Sequence, residues 1–422
     1  MSDIFENFCF SIYKSIKPCV FKALIPIIDF SRKLNNKPPI PLKEKMSEID
    51  FPTLGDKVIM IHGVSVGEVL SLENLIKKVK QEFSDYQIVV TTGTVTGQEL
   101  AHKKYAEIVD FITYFPLDVY EACKKFVEAI KPSVVLIAET ELWPNFSYAC
   151  KEKNIPLYII NGRISDKSYP SYLKIKSFLK LILKNYAGVF CQSEIDMNRF
   201  LSIGANKDNT CVMKNLKFEI EKKECNIDLK SGNSKVLIAG STHAGEDEIA
   251  LCAYKKLKEK IKDLKLIIAP RHLTRLNDVE KLVKETGFKY GFRTKEDNFE
   301  ENDIIILDTL GELSKVYSLA DVAYIGGSFN NTGGHNPLEC VIYSKPAVSG
   351  PTIKNFRDIY SILERENASF VVKNEKEFYE VLEKLLSNSE YYSKISKNCE
   401  SCFSNYQGAL EFVIKKLKEI LH

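Results

Sequence analysis

The chain has 422 residues, and its 59 Lys and Arg against 56 Asp and Glu leave a net charge of only +3, which gives no reason to expect a nucleic-acid partner. Hydrophobic residues make up 45% and charged residues 27%, which excludes a disordered chain, and the length exceeds what one hydrophobic core usually covers. The 11 cysteines lack paired metal-ligand spacing, so we expect reduced thiols and no metal site.

The N-terminal segment, residues 1–45, differs from the rest of the chain. Apolar residues recur at helical spacing from Ile4 to Val20, but Lys14 and Lys17 interrupt them. No stretch reaches the roughly 18 to 20 apolar residues that a transmembrane helix needs, and no signal cleavage site follows. We expect an amphipathic helix that lies in a membrane interface. The alternative is a helix that packs on the protein's own surface.

From residue 58 onward, short apolar runs alternate with amphipathic stretches, as in parallel sheets flanked by helices. A polar stretch at 219–234, read as a linker, divides these runs into two series. They lie at 58–61, 88–91, 134–138, 157–160 and 189–191, and then at 236–239, 266–269, 304–307, 322–325 and 346–348.

This pattern predicts an α/β protein with two Rossmann-like domains that face a cleft. We place the domains at 46–222 and 223–422 and allow the last helix to pack back on the first domain. Ligands of such sheets bind beyond the carboxyl ends of the strands, so the residues that follow each strand are the candidates for a functional site.

Carboxylates follow two strands of the first domain. Glu68 opens a helix after the first strand, where it could also be only a favourable first-turn charge. Glu139 and Glu141 directly follow the 134–138 strand, close to the single tryptophan, Trp143. Two carboxylates in that position are hard to explain as structure and are candidates for catalysis.

In the second domain, a glycine-rich stretch at 326–339 follows the 322–325 strand. Its glycines allow backbone N–H groups to approach an anion, and Asn336 and Pro337 are typical of a helix start. Arg271, which follows the 266–269 strand, suits a phosphate group. The alternative is a tight strand-to-helix turn that binds no ligand.

Four of the six histidines also lie in loops that follow strands. They are His62, His243, His272 and His335. Because they are spread over both halves of the chain, we do not expect them to converge on a metal ion.

The chain contains a series of short motifs: HGVSVGE at 62–68, TTGTVTG at 91–97, AETELWPN at 138–145, NGRIS at 161–165, KF at 217–218, STHAGE at 241–246, PRH at 270–272, GEL at 311–313 and GGHNPLE at 333–339. Together these motifs resemble those of the 3-deoxy-D-manno-octulosonic acid (Kdo) transferases of lipid A assembly. The resemblance spans nearly the whole chain in order. It implies a GT-B glycosyltransferase with an acceptor-binding first domain and a CMP-Kdo-binding second domain, attached to the cytoplasmic face of the inner membrane as a peripheral or monotopic protein.

The resemblance also implies roles for single residues. Glu68 matches the general base, and Glu139 and Lys217 match residues that stabilise the transition state. A carboxylate suits the base because a sugar hydroxyl is a weak nucleophile that must lose its proton. The residues that match contacts to CMP are Pro270, Arg271, Gly311, Glu312, Leu313, Asn336, Pro337, Leu338 and Glu339.

The implied reaction is an inverting transfer of Kdo from CMP-Kdo to a hydroxyl of the lipid A precursor lipid IVA. CMP-Kdo is a co-substrate, and no cofactor and no metal ion are expected. The expected partners are this donor, this acceptor and the membrane surface, without nucleic acid. Two alternatives remain open: a GT-B enzyme that uses a UDP-sugar, and a non-catalytic protein that binds a nucleotide sugar at a membrane.

Overall fold

The computed structural model describes residues 13–14, 32–34, 38–225, 234–295 and 297–421. Most of the predicted membrane-associating helix, and residues 226–233 of the predicted linker, lie outside this part of the chain. The chain folds as two compact units, one comprising the described residues of Met1–Glu219 and Gln407–His422, the other those of Ile220–Tyr406. No helix within the described ranges has the length and the apolar content to cross a membrane.

The first unit is built on a seven-stranded parallel sheet with the order β3-β2-β1-β4-β5-β6-β7. The central strands are buried along almost their whole length, as expected for a parallel sheet covered by helices on both faces. The strands are β1 (Val58–Gly63), β2 (Gln87–Thr92), β3 (Phe111–Tyr114), β4 (Val134–Ala138), β5 (Leu157–Gly162), β6 (Gly188–Cys191) and β7 (Thr210–Val212).

Helices connect these strands and cover the sheet. They are α1 (Leu42–Lys45), α2 (Val66–Ser71), α3 (Glu73–Glu82), α4 (Val95–Tyr105), α5 (Tyr120–Ile130), α6 (Pro144–Glu152), α7 (Tyr169–Lys174), α8 (Lys176–Leu183) and α9 (Glu194–Ser202). A short 3-10 helix, Leu216–Phe218, follows β7.

The second unit repeats the plan with a seven-stranded parallel sheet in the order β10-β11-β9-β8-β12-β13-β14. Its strands are β8 (Val236–Thr242), β9 (Lys265–Pro270), β10 (Tyr290–Phe292), β11 (Ile304–Ile306), β12 (Val322–Ile325), β13 (Ala347–Ser349) and β14 (Ser369–Val371). Its helices are α10 (Glu246–Lys260), α11 (Leu276–Glu285), α12 (Leu313–Val316), α13 (Leu338–Val341), α14 (Arg357–Arg365), α15 (Glu375–Ser387) and α16 (Ser389–Tyr406).

The last helix, α17 (Ala409–Leu421), belongs to the first unit. Its first turn is held by Glu219, whose Oε1 accepts the N–H groups of Gly408 at 2.5 Å and Ala409 at 2.7 Å. Buried side chains of the helix, including Val413 and Leu417, join the core that covers one face of the first sheet. The chain therefore leaves the first unit at Glu219 and returns to the same point.

The predicted α/β fold is confirmed, and every predicted strand is present within three residues of its predicted bounds. The strands that the apolar runs did not reveal are β3, β7, β10 and β14, which are the two edges of each sheet. Edge strands are short and covered on fewer sides, so their sequences need no continuous apolar run. The Thr, Tyr and Ser residues in them are consistent with that position.

Candidate active site

Glu68 lies in the first turn of α2, with its carboxylate turned back over the start of the helix. Its Oε2 accepts the N–H of Val64 at 2.7 Å and its Oε1 accepts the hydroxyl of Ser65 at 2.8 Å. The Ser65 hydroxyl in turn accepts the N–H of Glu68 at 3.5 Å. This arrangement is a variant of the capping box in which Glu68 accepts the N–H of Val64 rather than that of Ser65, so Glu68 does stabilise its helix. The same bonds hold the carboxylate in one orientation at the carboxyl end of β1.

Glu68, Glu139 and Lys217 come together in the first unit. Burial and the negative charge of Glu139 raise the pKa of Glu68, while the bonds from Val64 and Ser65 and the charge of Lys217 oppose the rise. The ammonium of Lys217 lies 3.6 Å from Oε1 of Glu139. The structure thus places a carboxylate with a raised pKa beside an ion pair.

The backbone of Glu139 is in the left-handed region, at φ 59°. That conformation costs a non-glycine residue on the order of 1 to 2 kcal/mol. Its N–H donates to the carbonyl of Ile160 at 2.9 Å, which ties the strained residue to the neighbouring strand. The position of this carboxylate therefore depends on the sheet around it.

Glu141 completes a cluster of three carboxylates. Burial, followed by the charges of Glu68 and Glu139, raises its pKa to about 7. Its carbonyl accepts the hydroxyl of Tyr186 at 3.0 Å. The resemblance assigned a role to Glu139 but none to Glu141, which can take up or release a proton near neutral pH.

A buried amide network positions Lys217, and the sequence analysis missed it. Asn215 Oδ1 accepts the N–H of Lys217 at 3.0 Å, and Asn161 Oδ1 accepts the N–H of Leu216 at 3.0 Å. Gln192 links the two residues. Its Nε2 donates to the backbone carbonyl of Asn161, and its Oε1 accepts from Nδ2 of Asn215, at 3.1 Å each. Only the positions of Asn161, near the end of β5, and of Gln192, directly after β6, could have signalled this network.

In the second unit, the carboxylate of Glu246 occupies the first part of the glycine-rich stretch. Its oxygens accept the N–H groups of Gly327 at 2.7 Å and of Ser328 and Phe329 at 2.8 Å each. The prediction that this part of the stretch binds an external anion is therefore wrong. The anion in this part of the stretch is the carboxylate of Glu246 itself. Glu246 is a buried residue in the first turn of α10.

Gly326 has a steric reason to be glycine in this loop. A Cβ on it would lie 2.3 Å from the carbonyl oxygen of Ser241, and backbone atoms cannot give way to it. The loop and the end of β8 are therefore in direct contact.

Three of the four histidines lie near one another in the second unit. His243 and His335 have parallel rings, and their Nε2 atoms lie 2.9 Å apart. His272 lies with its ring centroid 5.7 Å from that of His243. Burial and the charge of Arg271 lower the pKa of His335 to about 4. His62 is separate, in the first unit, and the described residues contain no cluster of three or more His, Cys, Asp or Glu suited to a metal ion.

The residues predicted to contact CMP all lie in the second unit, at the end of a strand, in loops or at the start of helices. Pro270 ends β9 and Arg271 follows it, donating its backbone N–H to the carbonyl of Thr242 at 2.9 Å. Gly311 has a left-handed φ of 82°, and Leu313 begins α12.

Glu312, between them, is already paired within the second unit. Its Oε2 lies 3.5 Å from Nε of Arg293 and accepts the hydroxyl of Thr309 at 2.5 Å.

The helix predicted to start at Asn336 and Pro337 begins at Leu338 instead. Asn336 Oδ1 accepts the N–H of Leu338 at 3.1 Å and so still caps the start. Burial raises the pKa of Glu339, while the charges of Lys223 and Arg271 oppose the rise. Arg271 therefore lies close enough to Glu339, at the end of the Asn336–Glu339 stretch, for its charge to act on that carboxylate.

Lys223 is a candidate residue that the sequence analysis missed, because it placed this residue in the linker. Its Nζ lies 3.4 Å from the hydroxyl of Ser314, just after the Gly311–Leu313 stretch. Its backbone N–H donates to the hydroxyl of Tyr343 at 2.9 Å, and that hydroxyl donates to the carbonyl of Lys223 at 2.9 Å. These bonds place a second cation, besides Arg271, among the residues predicted to hold CMP.

Two α/β units with parallel sheets, and charged residues at the carboxyl ends of their strands, define an enzyme of the GT-B glycosyltransferase class. The family model described as 3-Deoxy-D-manno-octulosonic-acid transferase (kdotransferase) matches residues 40–220. A 3-deoxy-D-manno-octulosonic acid transferase of Haemophilus influenzae is 32% identical over 86% of this chain and 87% of its own length. The chain belongs to this family.

Two further comparisons support the fold and the class. A bifunctional glycosyltransferase/methyltransferase of Fusobacterium nucleatum is 40% identical over 81% of this chain, which spans only 56% of that relative. The crystal structure of UDP-GlcNAc 2-epimerase from Neisseria meningitidis bound to UDP-GlcNAc has a TM-score of 0.55, covers 86% of this chain and 100% of its own, and is 16% identical. At that identity the likeness shows the fold alone.

Proposed function

We propose that this enzyme transfers Kdo from CMP-Kdo to a hydroxyl group of the lipid A precursor lipid IVA in lipopolysaccharide synthesis, with inversion at the anomeric carbon. Membership of the Kdo transferase family supports the transferred sugar. The observation that carries the mechanism is the oriented carboxylate of Glu68 beside the Glu139–Lys217 ion pair.

In the proposed reaction, the acceptor hydroxyl oxygen bonds to the anomeric carbon of Kdo as that carbon's bond to the CMP phosphate breaks. Glu68 takes the hydroxyl proton, and CMP leaves with the bonding electron pair. A raised pKa suits a general base, because the carboxylate is more basic than an exposed glutamate. Glu139 would stabilise positive charge that develops at the reacting carbon, and Lys217 holds Glu139 in place.

The second unit would hold the donor. Arg271 and Lys223 supply positive charge, and the Gly311–Leu313 and Asn336–Glu339 stretches supply the other contacts that the family resemblance implies. The proposal needs no metal cofactor, because a single phosphate leaves and these two side chains can neutralise it. We place the enzyme at the cytoplasmic face of the inner membrane, where the N-terminal segment would attach it.

The test is transfer from freshly generated CMP-Kdo to tetraacylated lipid A precursor, with products resolved by mass. Glu68→Gln should lower the rate by about 10²- to 10⁴-fold, the usual contribution of a general base, with CMP affinity changed by less than about twofold. Glu107→Gln is the matched control, because Glu107 is an exposed residue of the same unit. Full activity of Glu68→Gln would refute the assignment of Glu68 as the general base. Transfer from UDP-sugars instead of CMP-Kdo would refute the assignment of CMP-Kdo as the donor.

A further inference from the structure

A strongly basic surface lies on α7 and α8 of the first unit. From residue 167 to residue 193 the chain contains lysines but no Asp, Glu or Arg. All of these lysines are exposed: Lys167, Lys174, Lys176, Lys180 and Lys184. We call this surface, with the residues exposed between the lysines, the α7–α8 face.

The α7–α8 face also exposes two large aliphatic side chains. Leu173 is 37% exposed and Ile175 is 49% exposed, at the junction of the two helices. On the same helix, Leu179, Ile182 and Leu183 are buried in the core of the unit. One side of α8 thus attaches it to the core, and the junction presents apolar side chains to the outside between lysines.

The described part of the N-terminal segment adjoins this face. The ring of Tyr13 packs on that of Phe178 in α8, with centroids 5.5 Å apart, and its hydroxyl donates to Asp118 at 2.8 Å. The segment that we expect to lie in a membrane interface therefore contacts the unit beside α8.

The α7–α8 face also lies close to the carboxylate cluster. Burial and then the charge of Glu141 raise the pKa of Tyr172 in α7. Tyr172 packs against the same core as Leu142 and Trp143, which directly follow that glutamate. A ligand held at this face would lie near Glu68, Glu139 and Glu141.

We propose that the α7–α8 face is a second membrane contact, in which the lysines bind anionic phospholipid headgroups and Leu173 and Ile175 enter the interface. Lysines that flank apolar side chains are the usual composition of a surface that lies on a lipid bilayer. A nucleic acid would satisfy the lysines but would leave the aliphatic side chains without an apolar partner. This contact would hold the first unit where a lipid acceptor lies, and to that extent it rests on the proposed function.

The test is cosedimentation of the full-length protein with vesicles of phosphatidylethanolamine and phosphatidylglycerol. The triple variant Lys174→Gln, Lys176→Gln, Lys180→Gln should lower the partition coefficient on the order of 100-fold, because each lysine near an anionic surface contributes about fivefold. The control triple Lys376→Gln, Lys394→Gln, Lys397→Gln removes the same charge from exposed lysines of the second unit. Because the proposal assigns these lysines no contact with lipid, the control triple should change the partition coefficient by less than about twofold.

Insertion of the apolar junction needs its own readout. In Ile175→Trp, the emission of the added tryptophan, after subtraction of the wild-type spectrum, should shift to the blue when vesicles are added. Leu173→Ser with Ile175→Ser should weaken binding to phosphatidylcholine vesicles as well, since apolar insertion does not require anionic lipid. The far-ultraviolet circular dichroism spectrum and the urea unfolding midpoint of each variant check that the protein is folded.

Equal vesicle binding by the two lysine triples, or an unshifted Ile175→Trp emission, would overturn the inference. Loss of binding to an RNA oligonucleotide, with vesicle binding intact, would assign the face to nucleic acid instead. No donor or acceptor enters these measurements. A protein that binds vesicles through this face but transfers no Kdo would therefore refute the proposed function and leave the membrane contact standing.

Discussion

Replacement of Glu246 by glutamine should destabilise the second unit more than any exposed substitution. The carboxylate accepts four backbone N–H groups, those of His243 at 3.0 Å, Gly327 at 2.7 Å, and Ser328 and Phe329 at 2.8 Å each. Each oxygen takes two of them. Glutamine keeps one oxygen and turns an NH2 group toward the other two donors.

The cost follows from the two lost bonds. A hydrogen bond to a charged group contributes about 1.5 to 3 kcal/mol, so the loss is about 3 to 6 kcal/mol. Glutamine carries no charge, so the folded variant no longer has the cost of burying one, and we expect a loss near the lower end of this range. With a urea m-value of about 2 to 3 kcal/mol/M, a loss of about 3 kcal/mol lowers the unfolding midpoint by about 1 to 1.5 M.

The assay is urea unfolding of Glu246→Gln beside Glu248→Gln. Glu248 is exposed in the same first turn of α10, so its substitution removes the same charge from the helix start but should change stability by no more than about 0.5 kcal/mol. Hydrogen exchange should accelerate at the amides of 327–329 only in Glu246→Gln. Equal midpoints for the two variants, with those amides still protected, would show that the carboxylate does not organise the loop.

Three further predictions concern charge. Lys217→Gln removes a positive charge that lowers the pKa of Glu68, so the acid limb of the kcat/KM profile should move to higher pH. An unchanged acid limb would show that the charge of Lys217 does not affect the pKa of Glu68. Glu141 has its pKa raised to about 7 in the folded state from an ordinary 4.5, so the folded state binds its proton more tightly and stability should fall by up to about 3 kcal/mol as pH rises through that window. Glu141→Gln should lose less stability than wild type between pH 5 and pH 8 in urea unfolding. Arg271→Ala should raise the Kd for CMP by about 10-fold or more in calorimetry while the acid limb of the rate profile stays in place.

Continuous apolar runs revealed the interior strands of both sheets, because a strand between two neighbours and under helices must be apolar on both faces. The edges could not be found in the same way. In β10, Tyr290 and Phe292 are only partly buried and flank a glycine, and in β14 a serine begins the strand. Such short sequences do not differ from loops until the neighbouring strand supplies the hydrogen bonds.

Some residues of the candidate site could likewise be found from the sequence, and others could not. A carboxylate three residues after Ser65 and a carboxylate directly after β4 are local patterns, so Glu68 and Glu139 could be proposed from their positions. The contact of Lys217 with Glu139 joins residues 78 positions apart in the numbering, and no local pattern specifies it. Lys223 was placed in a linker for the same reason, since its partners Ser314 and Tyr343 lie far along the chain.

The sequence by itself determined the α/β class, the interior strands and the family, because each depends on residue types at short and regular spacing. Only the tertiary structure decided which charges meet. In the folded chain, the carboxylate of Glu246 binds the N–H groups of the glycine-rich stretch, and His243 lies against His335. Three carboxylates lie close together in the first unit. The physical reason is that pKa values and ion pairs depend on distance and burial, which the fold sets between residues that are remote in the chain.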